Sequence, residues 1–284
     1  MKLSSIGLVA LFLAVLGMGR DAQAYTRTMT DSGATVAWSR DAFTGTTHLN
    51  FAGNAANVSG LSAESVRQAV QRALRRWQIA SAGAFIWDYW QGTDPAVYAA
   101  NSAYNNYSNV YFTSQASSSD HAATSISPAV IGLTQVWHNS QNGQILETDI
   151  QLNDSSFTFS LDPAATTGMG NGGPSGRSGG KPLVYIDNIL THEMGHAVGL
   201  SHSGVNQATM LPYEAPQQAL ISCDERAGIH ALYPIGADNQ VRGQIRGRVV
   251  GGVSGTAGGA QVLAISRLRA NVMASAIADS AGNF

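Results

Sequence analysis

The chain has 284 residues, of which 12% are charged, with a net charge of −2 and a single cysteine. So little charge excludes a nucleic-acid partner and leaves no basic patch for an anionic membrane. The lone thiol, Cys223, excludes an internal disulfide and reads as a buried structural residue.

The first residues read as an export signal. Lys2 supplies a positive start, Ile6 to Met18 is apolar but short for a bilayer span, and Ala22-Gln23-Ala24 is a small-residue cleavage site. Residues 1–24 are therefore expected to be removed. The chain from Tyr25 is then secreted or periplasmic, with no membrane partner.

Residues 35–39 and 47–52 read as strands from their β-branched and aromatic content. Ser62 is an N-cap, and Val66, Ala69, Val70, Ala73, Leu74 and Trp77 recur at helical spacing behind it. Arg67, Arg72, Arg75 and Arg76 cover the other side and read as a solvated face. Strands are expected at 84–90, 108–113, 130–137 and 145–152, with 91–107 and 114–129 as Ser/Asn/Tyr-rich loops. Glycines crowd 168–180, a loop that leads into a helix from about Leu183 to Val198. Strands followed by this helix imply an α+β domain over 25–235, a twisted mixed sheet backed by helices.

Beyond Pro234 the character changes. Residues 240–250, 260–266 and 272–278 alternate like strands between glycine-rich turns. The pattern resembles the opening of a carboxypeptidase-regulatory-like β-sandwich, so 240–284 reads as a partial module of that kind. The alternative is a short β-appendage packed on the preceding domain.

The run HEMGHAVGLSH, His192 to His202, carries the chemistry. On a helix, His192 and His196 project from one face a turn apart, so both imidazoles can reach one metal ion. Glu193, about 100° round the helix, lies beside that metal as a base and not as a ligand. Gly199 permits a left-handed turn, after which His202 returns as a third nitrogen. Three protein ligands leave a fourth position for water, as a catalytic zinc needs. Chance would give HExxH about 0.003 times in a chain of this usage.

This run resembles the metzincin metallopeptidase signature HExxHxxGxxH. His202-Ser203 followed by Ala208-Thr209-Met210-Leu211-Pro212 is similar to the matrixin branch, as is Asp224 to Pro234 with its Gly-Ile and Leu-Tyr pairs. The likeness is loose over 35–234 and close over 184–234. It implies a metzincin fold, one catalytic Zn2+ on His192, His196 and His202, and Met210 as a packed floor beneath the metal. It also implies an extended peptide substrate pairing with the strand around Ile131, Gly132 and Leu133, near Pro212 and Tyr213. A zinc-binding role is not transferred to Tyr213, which follows Pro212 directly. A second zinc is not expected, since only His121 and His138 precede the active helix in the comparable stretch. Ca2+ has no motif in its support, because the spacing of Glu147, Asp149, Asp154 and Asp162 fits no calcium loop. Those four read as a solvated acidic rim.

The expected activity is therefore secreted, zinc-dependent endopeptidase chemistry on protein or peptide substrates. The competing readings are a binding or adhesion protein on the same fold and a metal hydrolase of non-peptide substrates. The intact Glu193 argues against the first and the methionine segment against the second.

Overall fold

The computed structural model describes residues 3–7, 27–39, 47–53, 55–90, 104, 107–115, 126–165, 177–178, 180–206, 208–234, 245–251, 257–268 and 272–284. Its centre is a mixed sheet. Strand β1 (Leu3–Gly7) lies at one edge, and β2 (Ala37–Trp38) and β3 (Thr47–Gly53) follow along the chain. Helix α1 (Ala63–Ala80) precedes β4 (Phe85–Trp90), β5 (Ser108–Phe112), β6 (Gly132–Asn139) and β7 (Gln144–Leu152). The spatial order is β1-β6-β7-β5-β3-β4, with β2 also on β7. Strands β3, β4, β5 and β7 run parallel, while β6 runs antiparallel to β7. Small strands β8 (Thr158–Ser160), β9 (Arg177–Ser178) and β10 (Lys181–Tyr185) form a separate sheet. Next come α2 (Ile186–Ala197), α3 (Cys223–Leu232) and a hairpin of β11 (Gln261–Ile265) and β12 (Val272–Ile277). Among the described residues, no helix is long and apolar enough to cross a membrane.

Helix α1 forms where its sequence pattern places it. The Ser62 hydroxyl accepts from Ser65 N at 3.1 Å, and Val66, Ala69, Val70, Ala73, Leu74 and Trp77 are buried. The arginine face is not simply solvated, which corrects the expectation. Arg72 donates to both carboxylate oxygens of Asp187 at 2.8 and 2.7 Å, and Arg76 adds a 2.9 Å bond. Asp187 is fully buried in the first turn of α2, so these arginines turn inward to pair it. Arg67 does stay at the surface, with Glu64.

Helix α2 begins three residues later than expected, because Leu183–Tyr185, the end of β10, pairs with β8 as a strand. Every residue of α2 is buried between α1 and the sheet. Much of the expected loop sequence at 91–107 and 114–129, and most of 168–180, lies outside the described residues, as does His121.

A second correction concerns the acidic residues. Glu147, Asp149 and Asp154 are buried, and only Asp162 is exposed. In β7, Ile150 and Leu152 join the core, so alternation turns Glu147, Asp149 and Gln151 to the opposite face, which is covered as well. Asp154 is tied down separately, accepting from Val58 N, Ser114 N and the Ser114 hydroxyl.

An N-terminal strap closes one end of the site. Thr28 N donates to Gly199 O, Ala37 N to Gly143 O, and Trp38 Nε1 to Ala197 O. Gly143 and Gly199 both hold positive φ, and a Cβ on either would come within 2.1 to 2.2 Å of the Thr35 or Val36 carbonyl oxygen. Tyr233, at the end of α3, accepts from Trp38 N at 3.0 Å and donates to Val198 O at 2.9 Å.

The β11–β12 hairpin packs against α3. Asp224 accepts from Ser275 N at 2.6 Å on one oxygen and from the Ser203 hydroxyl at 2.7 Å on the other. Residues 235–244 lie outside the described residues, and 245–250 form no strand beyond a single bridge from Arg248 to Asn283. Cys223 opens α3 outside any disulfide and is half-buried, not the buried thiol expected from the sequence.

Candidate active site

Helix α2 is the platform. His192 and His196 lie four residues apart on it, and the chain turns back at Gly199, with φ +94°, to bring in His202. The ring centroids stand 4.9 Å apart for His192 and His196, 5.3 Å for His192 and His202, and 4.8 Å for His196 and His202. One ligand atom from each ring lies within 4.8 Å of the others. Among the described residues this is the one group of His, Cys, Asp or Glu side chains placed to share an ion.

The far sides of two rings are already engaged. His192 Nδ1 donates to Thr209 O at 2.8 Å and His196 Nδ1 to Leu200 O at 2.9 Å. Each carbonyl fixes the tautomer that leaves Nε2 as a lone-pair donor, the usual support for a histidine ligand. Burial, aided by the neighbouring His202, pushes the His192 imidazole down to about 4. His196 is depressed well below its ordinary value by burial and by both other rings, and His202 by burial. Buried neutral imidazoles are the form that binds metal. The donor set therefore fits zinc, which takes histidine nitrogen in three-ligand catalytic sites.

Glu193 faces β6. Its Oε2 accepts from the Thr134 hydroxyl at 2.6 Å. Burial raises the carboxyl to about 7, while the Thr134 hydrogen bond pulls the other way. A carboxyl poised near neutrality suits proton transfer at neutral pH.

Behind the helix lies Met210. A Cβ on Gly195 would come within 2.2 Å of Met210 Sδ and 2.8 Å of Trp77 Cζ2, so this glycine lets the methionine segment and α1 meet the helix backbone. Met210 N donates to Glu225 Oε1 at 3.0 Å, and the other oxygen of Glu225 caps Ser222 N at the start of α3. Pro212 is half-buried beyond it and Tyr213 is 60% exposed, open to a ligand. Asn188, one turn before His192, holds the following segment by donating to Ala215 O and accepting from Ala219 N.

Gly132 and Leu133 lie on β6 beside α2, with Ile131 just before them. β7 lines one edge of β6, and β1 reaches only Gln135–Asn139 on the other. His138 is buried on β6 and is not among the three clustered histidines. Thr134 carries no motif, and although Leu200, Thr209 and Glu225 lie within the matrixin-like segments, the sequence assigns them no role. Their roles depend on strand register and on loop carbonyls, which local spacing does not encode.

A three-histidine cluster, with two rings buried on one helix and the third half-buried beyond its closing turn, next to a carboxyl and backed by a methionine, defines a metallopeptidase of the metzincin class. The family model described as Peptidase_M10, Matrixin, matches residues 38–234, and the chain belongs to that family. Membership makes it a zinc-dependent endopeptidase with protein or peptide substrates, and the three-histidine cluster fits the catalytic zinc of the family. A comparison with curated proteins finds no match.

Proposed function

We propose that this chain is an exported endopeptidase in which His192, His196 and His202 hold one catalytic Zn2+ and Glu193 is the general base. The observation that carries the reading is the set of three histidine nitrogens within 4.8 Å of one another, two of them on the helix that also carries a buried carboxyl raised to about 7. Zinc, when bound, supplies a Lewis acid for the scissile carbonyl and the attacking water. The rest falls to the chain. Glu193 takes the water's proton during attack and delivers it to the leaving amine. Met210, packed on Gly195, holds the floor of the site rigid. An extended substrate adds beside Ile131, Gly132 and Leu133, where among the described residues no second strand covers Gly132 and Leu133. Pro212 and Tyr213 form the facing wall.

In this reading residues 1–24 direct export, 25–235 are the catalytic domain, and 240–284 a β-rich appendage. N-terminal sequencing of the exported protein is expected to begin at Tyr25. Glu193→Gln is expected to keep zinc yet lose about 100- to 10,000-fold in casein hydrolysis. A variant that keeps its zinc and cleaves at the native rate would remove Glu193 from the mechanism.

A further inference from the structure

The Glu193 carboxylate sits in a slot made by two residues of β6. Thr134 and Gly132 are two apart on a strand, so they share a face, the one turned to α2. At one side, the Thr134 hydroxyl lies 2.6 Å from Glu193 Oε2 and 3.0 Å from the backbone carbonyl of the same residue. At the other, Gly132 leaves the room that Oε1 occupies. A Cβ there would stand 2.6 Å from Oε1, 2.9 Å from Glu193 Cγ and 2.8 Å from Ile189 Cγ2. The Glu193 carbonyl alone would satisfy a buried threonine hydroxyl, yet the shorter contact is to the carboxylate. Among the described residues no hydrogen bond reaches Oε1.

We infer that Thr134 is a positioning residue that anchors Oε2 of Glu193, so that Oε1, seated in the gap left by Gly132, is the oxygen that takes up and returns the proton. The inference rests on the general-base reading of Glu193. It adds which oxygen works and what holds it there. A carboxylate with both oxygens free would sample rotamers that point neither oxygen at the substrate, and misplacement by about 1 Å can cost 100-fold in rate. Threonine suits the task because its branched Cβ restricts χ1 on a strand whose register with β7 is fixed. The pair works jointly, with hydroxyl on one flank and an absent side chain on the other.

The test uses the full zinc-loaded chain with fluorescent casein as substrate, measuring kcat, KM, zinc content and thermal midpoint. Thr134→Val, which keeps the shape and removes the hydroxyl, is expected to lower kcat about 10- to 100-fold with KM little changed and zinc retained. Thr134→Ser is expected to restore kcat to within about threefold of native, because the donor returns. Gly132→Ala is expected to lower kcat from the opposite flank without removing any hydrogen bond. Glu193→Gln serves as the reference. If it stays active, the general-base reading falls and the positioning role with it. If it is inactive while Thr134→Val keeps native kcat, only the positioning role is overturned. Should Thr134→Val lose zinc or its fold, Gly132→Ala decides, and native kcat in that variant overturns the proposal.

Discussion

Two buried polar clusters occupy opposite faces of the central sheet, and they are wired differently. On the helix side, the Nδ1 atoms of His192 and His196 end on carbonyls, and Glu193 Oε2 ends on the Thr134 hydroxyl. On the other side, Asn109 N and Nδ2 both donate to Asp149 Oδ1, but Asp149 Oδ2, Asn109 Oδ1 and Gln151 Oε1 have no hydrogen-bond partner among the described residues. Burial, together with the charge of Glu147, pushes the Asp149 carboxyl well above its usual range. Both clusters bring ionisable groups out of water. The first uses surrounding carbonyls and a hydroxyl to fix two of its three rings and the base in one arrangement. The second leaves acceptors unmet, which costs about 1–3 kcal/mol for each such group. Burial alone therefore does not make a reactive centre. The hydrogen bonds that orient two of its rings and one oxygen of its base set the first cluster apart.

Breaking the first cluster should have the largest effect. His196→Ala removes a ligand and is expected to abolish zinc binding and reduce casein hydrolysis below detection, as read by elemental analysis and initial rates. Its thermal midpoint should also fall and no longer respond to added zinc, because metal binding stabilises only the folded chain.

Acid should act on the same cluster in the metal-free protein, with a sign set by the shifts. The His192 imidazole is held at about 4 when folded against about 6.5 when unfolded, so the unfolded chain binds more protons between those values. The stabilisation is complete above about pH 6.5 and is lost as pH falls towards 4, roughly 2–4 kcal/mol from His192 alone, with His196 and His202 adding in the same sense. Glu193 works oppositely. Its folded value, raised to about 7, favours the folded state at low pH and loses that contribution as pH rises through 7. Urea midpoints should therefore drop on acidification, and drop more steeply in Glu193→Gln, where the opposing contribution is gone. Equal slopes in the two proteins would show that Glu193 is not raised.

A smaller change should follow Gly195→Ala. The added methyl meets Met210 Sδ at 2.2 Å and Trp77 at 2.8 Å, an overpacking expected to cost about 1–3 kcal/mol and to weaken zinc retention against a chelator. The second cluster gives the mildest and opposite result. Asp149→Asn keeps the acceptor that Asn109 uses and removes a buried ionisable group. It is expected to raise neutral-pH stability by about 1 kcal/mol in calcium-free buffer, with the gain shrinking towards pH 4. Destabilisation at neutral pH would mean that the carboxylate has a role its hydrogen bonds do not reveal.

Sequence reading reached His202 through the glycine turn and the resemblance of the whole run, and His192, His196 and Glu193 because a helix fixes their relation without reference to the rest of the fold. The amphipathic stripe of α1 and its Ser62 cap were legible for the same reason. The arginines of α1 were misread because periodicity tells which face is polar, not that a buried Asp187 from another helix waits there. Glu147 and Asp149 were misread because a strand buried on both faces usually runs continuously apolar. Polar residues at alternate positions mimic a half-exposed strand. Strand β10 was absorbed into the helix prediction, since Leu183 and Val184 suit either element and only β8 decides. The Thr134 contact lay beyond any motif, for it needs the register of β6 against β7 and the approach of α2 to both.

The N-terminal strap has a consequence for the order of assembly. The carbonyl of Leu200 that orients His196 belongs to a turn bridged to Arg27, and Trp38 meets Tyr233 across 195 residues of chain. The helix that carries HEMGH can nucleate locally, but its last turn is completed only by segments from far along the chain. Contacts of such long separation are slow to form, because loop closure precedes any reward. Competence to bind metal is thus tied to the slowest steps of folding, and a chain that has not finished folding lacks the third histidine's geometry.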